Sequence, residues 1–335
     1  MILKAPFPWF GGKSRAAGII WPRFGDVPNY VEPFAGSLAT LLGRPHAARV
    51  ETVNDLDCFL ANFWRTIASD PEAAARNADW PVNECDLEAR HRWLVAQTDF
   101  KERMKSDPEY FNPQIAGWWV WGLCCWIGSG WCLERRSGNQ PKQIPHLGSA
   151  GRGIHRKLPH LGSAGRGIHR KLPHLGDAGR GIHRKLPHLG DSGREIESYF
   201  AALSERLRKV RVACGEWDRV LGDSVTISHG VTGVLLDPPY DSEEHSITYA
   251  AETAGVSARV REWAIANGDN PLYRIALCGY EGEHPMPASW ECVAWKAAGG
   301  YGAQGDGDGR KNSQRERIWF SPHCLKTVKQ QALTL

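Results

Sequence analysis

The run Gly233-Val-Leu-Leu236 stops abruptly on Asp237-Pro238-Pro239-Tyr240. A proline has no backbone N–H, and the residue before one avoids helical dihedrals, so neither a helix nor a central strand continues through the pair. The run therefore reads as a short strand, apolar on both faces, with an acid, a rigid turn and an aromatic ring at its carboxyl end. Strands buried on both faces belong to parallel sheets covered by helices on either side.

The rest of the chain supplies such a sheet in two pieces. Asn29 to Phe34 reads as a strand, and Gly36-Ser37 open a helix over Leu38 to Leu42. Arg49 to Val53 is a second strand, and Leu56 to Ala68 is an amphipathic helix. This strand–helix order argues for a parallel sheet. It resumes after residue 195 with a helix from Glu195 to Val210 and strands at Val210 to Cys214 and Gly233 to Leu236. A helix from Ser257 to Ala266, a strand from Arg274 to Cys278, and late strands at Glu291 to Trp295 and Glu316 to Ser321 complete it. Between the pieces, residues 71–140 read as helical and Trp-rich.

A tandem repeat follows. The unit Ile144-Pro-His-Leu-Gly-Ser-Ala-Gly-Arg-Gly-Ile-His-Arg-Lys157 recurs from Leu158 and Leu172, and a fourth copy from Leu186 decays after Arg194. The period, fixed by His146, His160, His174 and His188, is too short and too rich in Gly and Pro for a helical solenoid. The window 144–194 holds ten Lys/Arg against two Asp, on a chain whose formal net charge is only +4. A basic block on a mildly acidic body points to a polyanion, with Arg152, Arg166, Lys171 and Arg180 as candidate phosphate contacts. A solvated spacer made by duplication is the competing reading. The repeat histidines lie beside Arg and Lys, which disfavours a metal role, and no metal is expected.

Nine cysteines, two of them adjacent and none in a C-x-x-C pair, argue against a disulfide framework or a zinc site. The expectation is a reduced intracellular protein. The amino-terminal prolines and charge leave no apolar run of signal-peptide length, and Ile115 to Ile127 is too short to span a bilayer.

The residues at 237–240 suit one kind of chemistry. An exocyclic amine on an aromatic base is a poor nucleophile because its lone pair is delocalised into the ring. An acceptor at each amine hydrogen favours a pyramidal nitrogen and frees the lone pair. The Asp237 carboxylate supplies one acceptor and the Pro238 carbonyl another. Pro238 and Pro239 hold the backbone rigid, and Tyr240 offers a ring for stacking. A plain Pro-Pro turn capping a strand, with Asp and Tyr incidental, is the alternative. Gly11-Gly12-Lys13-Ser14 also looks like part of a phosphate-binding loop. That motif needs Gly at position 7, where Phe stands, and a preceding strand that Pro6 and Pro8 disfavour.

Taken in order, Trp9-Phe-Gly-Gly-Lys13, Val31-Glu-Pro-Phe-Ala-Gly-Ser37, Asn54-Asp-Leu-Asp57 and Asp237-Pro-Pro-Tyr240 resemble the Dam-type DNA adenine methyltransferases. Their order matches that family's alpha arrangement, and the Trp-rich segment Gly117 to Trp131 resembles phage-encoded members. The likeness covers about residues 1–70 and 195–325. It implies a Rossmann-like α/β core that uses S-adenosylmethionine, with an inserted, mostly helical DNA-recognition region. It also implies direct methyl transfer to N6 of a flipped adenine in double-stranded DNA, without a covalent enzyme intermediate; none of the nine cysteines follows a proline, as a cytosine-type nucleophile would.

By the same resemblance, Trp9, Lys13, Glu32, Phe34, Gly36, Asp55 and Asp237 fall on cofactor-binding positions, and Asp237 to Tyr240 on the catalytic ones. Leu38 departs from the pattern, standing where many relatives have a second glycine, so a looser turn is expected there. The implied organisation is a first core segment at 1–70, an insert at 71–194 and a second core segment at 195–335. The setting is the cytoplasm of a bacterial host, in phage or restriction-modification biology, with no membrane association. The alternatives are a non-catalytic phage DNA-binding protein on the same scaffold and a methyltransferase acting on RNA.

Overall fold

The computed structural model describes residues 3–7, 9, 13–126, 131–132, 192–240, 255–295 and 315–326. The repeats, and with them Arg152, Arg166, Lys171 and Arg180, lie outside the described residues, as do Gly11 and Gly12.

A seven-stranded sheet organises the chain. Its strands are β1 (Asn29–Glu32), β2 (Val50–Asp55), β3 (Val210–Cys214), β4 (Thr232–Leu236), β5 (Tyr273–Tyr280), β6 (Glu291–Ala294) and β7 (Glu316–Phe320). The spatial order is β3-β2-β1-β4-β5-β7-β6. β1 pairs in parallel with both β2 and β4, while β7 runs antiparallel between β5 and β6. The chain order therefore reverses direction between β1 and β4. In such sheets ligands bind beyond the carboxyl ends of the strands at this switch point. The order and the reversed β7 are those of a Rossmann-like methyltransferase core.

The helices are α1 (Ala17–Phe24), α2 (Ala39–Leu42), α3 (Cys58–Ser69), α4 (Pro71–Ala78), α5 (Glu84–Val95), α6 (Thr98–Ser106), α7 (Pro113–Cys125), α8 (Ser192–Leu207) and α9 (Val256–Asn267). Several starts follow from local chemistry. Asp57 caps α3 by accepting from the Phe59 and Leu60 amides, and Asn112 caps α7 just before Pro113. Asp70 does the same for α4, ahead of Pro71.

Alternating strand residues feed two cores. Leu235, Ala276 and Cys278 pack with α1, α3, α7 and α8, while Val234, Leu236, Ile275 and Leu277 pack with α9 and Trp217. That division explains why the central strands are apolar on both faces. On the first side, Phe7 meets Phe63 and Trp119 edge-on. The Arg90 guanidinium sits over the rings of Trp80, Trp118 and Trp121, so the tryptophans of this region serve chiefly to pack α4, α5 and α7. Gly117 allows α7 to touch α4, since a Cβ there would lie 2.3 Å from the Asn77 Cβ.

Glu51 places a charge inside the sheet. It is fully buried and held by Arg44 at 3.0 Å and by Arg206 of α8 at 2.6 Å. Two guanidinium partners offset a desolvation cost that one carboxylate could not bear alone.

Candidate active site

The site is built at the carboxyl ends of β1, β2 and β4. The β1 chain ends at Glu32 and turns through Pro33 to Leu38. Gly36 sits at φ +48°, and a Cβ on it would lie 2.7 Å from the Trp9 indole nitrogen, so both the turn and the close approach of Trp9 require glycine here. Its N–H donates to Asp55 Oδ2 at 3.0 Å, and its carbonyl accepts from the Trp64 indole at 3.0 Å.

The looser turn expected at Leu38 is not found. Leu38 itself adopts the left-handed conformation, φ 55° and ψ 22°, that a glycine would take. Its side chain is fully buried, and burial of that size offsets the roughly 1–2 kcal/mol cost of the conformation. The helix after it accordingly begins at Ala39, one residue later than the sequence suggests.

Asp55 closes the other side of the turn. Its Oδ1 accepts from the Asp57 amide at 2.9 Å, while Asp57, not Asp55, caps α3. Burial, helped by the Asp57 charge, raises Asp55 to about 7, against the backbone amides that pull it down. Glu32 is raised to about 8, chiefly by burial. Its bond from the Tyr30 hydroxyl opposes the shift, and the charges of Asp237, Asp55 and Glu51 reinforce it. Beside them Phe34 stacks on Trp217 at a centroid distance of 6.2 Å, and the buried Trp217 indole N–H has no hydrogen-bond partner among the described residues.

At the end of β4, Asp237 meets residues from both ends of the chain. Lys13 Nζ lies 3.0 Å from Asp237 Oδ1 and 2.8 Å from the Tyr240 hydroxyl. The Tyr240 hydroxyl is 3.1 Å from Asp237 Oδ1 and 3.0 Å from Glu316 Oε2 on β7. Tyr280 packs edge-on against Tyr240 at 4.6 Å, and the Lys13 ammonium lies over the Trp295 ring. Burial pulls the Lys13 ammonium down, but the Asp237 charge, aided by Glu316, outweighs it and the net shift is up. Lysine therefore stays cationic here.

The sequence-predicted residues thus fall into two groups. Trp9, Gly36 and Asp55 gather around the β1–α2 turn, and Phe34 and Glu32 flank it. Lys13 stands with Asp237 and Tyr240 at the β4 end. The sequence reading missed Glu316, Tyr280, Trp295 and Trp217. Glu316 opens a late strand far from any motif, and only the antiparallel β5–β7 register, with Tyr280 opposite Glu316, brings it to the site.

The model of the D12 class N6 adenine-specific DNA methyltransferase family matches residues 9–114. Over that stretch the chain is similar to the Dam-type DNA adenine methyltransferases. The matched stretch carries Trp9, Lys13, Glu32 and Asp55 and ends before Asp237. No curated protein matches the chain. Enzymes of this class methylate adenine in DNA and depend on S-adenosylmethionine.

The residues present fit that cofactor. It is a sulfonium cation with a ribose and an adenine ring. Glu32, Asp55 and Asp237 are close enough that the charges of Asp55 and Asp237 raise Glu32, a cluster that a cation relieves. An acid at the end of the second strand suits ribose hydroxyls. Trp9, Phe34 and Trp217 offer aromatic surface, and the unpartnered Trp217 N–H offers a donor. Among the described residues no helix is long and apolar enough to cross a membrane.

Proposed function

We propose that Asp237 to Tyr240 receive the target adenine and that the β1–β2 end holds the cofactor. The observation that carries this reading is the Asp237 carboxylate fastened through one oxygen, Oδ1, by Lys13 and Tyr240. Its other oxygen is left to accept from the target amine. The Pro238 carbonyl accepts the second amine hydrogen, and the nitrogen lone pair is freed for attack. The bound cofactor supplies a methyl group on a positively charged sulfur. Preorganised acceptors of this kind favour the transition state because they need no reorganisation as charge develops.

Tyr240 presents one face of its ring to the base, which must leave the duplex to reach the pocket. Asp55 accepts from the ribose hydroxyls. Trp9, Glu32, Phe34 and Gly36 shape the remainder of the cofactor pocket, and Lys13 stands where cofactor and amine meet. The basic repeat, with Arg152, Arg166, Lys171 and Arg180, contacts phosphates of double-stranded DNA. The helices from residue 71 to the repeat belong with it as an insert at 71–194 between core segments 1–70 and 195–335. The enzyme acts in the cytoplasm of a bacterial host.

The test is nucleoside analysis after incubation of the full chain with labelled S-adenosylmethionine and duplex DNA, single-stranded DNA or RNA. Label in N6-methyldeoxyadenosine, highest from duplex DNA, is expected. Label found chiefly in RNA would overturn the substrate assignment.

A further inference from the structure

The Tyr240 hydroxyl has one hydrogen and two lone pairs. Three groups crowd its oxygen: Lys13 Nζ at 2.8 Å, Asp237 Oδ1 at 3.1 Å and Glu316 Oε2 at 3.0 Å. The ammonium can only donate. The hydroxyl hydrogen serves one carboxyl. The other carboxyl oxygen then faces a lone pair at hydrogen-bond distance, which is repulsive unless that carboxyl carries a proton. Lys13 decides which one does. Its ammonium is 3.0 Å from Asp237 but 3.9 Å from Glu316, so the close ion pair is with Asp237 and the proton falls to Glu316.

We propose that Glu316 is a positioning residue that holds a proton in the resting enzyme, donates it to the Tyr240 oxygen and so turns the Tyr240 hydroxyl hydrogen onto Asp237. Every group is then satisfied. The Tyr240 oxygen accepts from Lys13 and Glu316 and donates to Asp237. Asp237 Oδ1 is fixed from two sides, and its second oxygen faces the amine. This inference rests on the placement of Asp237 and Tyr240 at the target adenine and adds to it a residue from the last strand.

The surroundings of Glu316 are consistent with a held proton. It is nearly fully buried, and burial is the main cause of its upward shift, opposed by Lys13 and by the Tyr240 bond and reinforced by Asp237 and Glu283. From β5, Tyr280 and Cys278 face the same cluster, both pushed up by burial and therefore neutral. Arg315, next in the chain, lies over the Tyr280 ring. Among the described residues the cation within ion-pair reach of Glu316 is Lys13, at 3.9 Å, the one already committed to Asp237.

The experiment compares the pH profiles of kcat for wild type, Glu316→Gln and Glu316→Ala, with Asp237→Ala alongside. A glutamine amide donates as the protonated acid does. Glu316→Gln is expected to match wild type at low pH and to lose the alkaline fall that deprotonation of Glu316 gives the wild type. Glu316→Ala is expected to lower kcat by up to about 10²-fold with cofactor and DNA affinities unchanged, as for a misplaced catalytic group. Glu32 and Asp55 also hold protons near neutral pH, so the infrared readout is the difference spectrum: one carboxyl C=O band of wild type should be lost in Glu316→Gln while those of Glu32 and Asp55 remain, a readout independent of turnover. An unchanged alkaline limb in Glu316→Gln, or no loss of that band, would overturn the inference. Asp237→Ala separates the two readings: inactivity there with no Glu316 effect leaves the site standing, and full activity there removes the site itself.

Discussion

Lys13 and Asp237, far apart in the sequence, form a 3.0 Å ion pair at the carboxyl end of β4. Lys13 therefore touches the acid proposed to meet the amine as well as standing at a proposed cofactor position. Lys13→Met should lower the single-turnover methylation rate by about 10²-fold or more while changing cofactor affinity much less. Calorimetry and rapid-quench kinetics separate the two. A large loss of cofactor affinity with an unchanged rate constant would place Lys13 wholly in cofactor binding.

Asp55 should govern the cofactor instead. Asp55→Ala is expected to weaken S-adenosylmethionine binding more than DNA binding. Calorimetric titration with cofactor and fluorescence anisotropy with duplex DNA give the comparison. Equal effects on both ligands would remove Asp55 from the cofactor pocket.

The buried acids also set a pH dependence. Burial raises Asp55 from 3.8 to about 7 and Glu32 from 4.5 to about 8. Folding thus favours their protonated forms. The stability they contribute is complete below the lower of the unfolded values and is lost as pH rises through about 7 to 8. The urea midpoint of the cofactor-free enzyme should fall across this window, and fall less in Asp55→Asn/Glu32→Gln. Affinity for the cationic cofactor should move the other way, improving as the acids ionise. A midpoint that falls as steeply in the double variant would show that other groups carry the effect.

Leu38 gives a stability test with an unusual order. Leu38→Ala keeps the left-handed strain and loses buried volume, at a cost of about 2–5 kcal/mol. Leu38→Gly loses slightly more volume but regains roughly 1–2 kcal/mol of strain. Glycine should therefore be the milder change, contrary to the ordinary ranking. Urea unfolding that finds alanine milder would mean the backbone strain at Leu38 is negligible.

Deleting one repeat unit, Leu158 to Lys171, removes Arg166, Arg170 and Lys171 and keeps the period. DNA affinity should drop alike for all sequences, and the salt slope should shrink by roughly 0.9 for each lost phosphate contact. The methylated sequence should stay the same, because phosphate contacts position the protein without reading bases. A changed recognition sequence at constant affinity would assign base reading to the repeat.

Much of this arrangement is legible in the sequence because its signals are local. The apolar run before Asp237, the small residues after Phe34 and the acid at the end of β2 each reflect a backbone constraint at one point in the chain, and their strands lie where the pattern puts them. What escapes is set by distance. Glu316 reaches the site only through the reversed β7, which no local pattern encodes. The left-handed Leu38 is hidden because leucine ordinarily signals the opposite backbone. The helix α1 is masked by Pro22 in its interior.

The most direct test is a long-read map of N6-methyladenine in DNA from cells that lack other adenine methylation and express either the wild-type chain or Asp237→Ala at equal, folded levels. Methylated adenines with wild type and none above background with Asp237→Ala are the expected result. Marks of equal density with both proteins, or none with a folded wild type that binds S-adenosylmethionine, would contradict the assignment of Asp237 to adenine methylation.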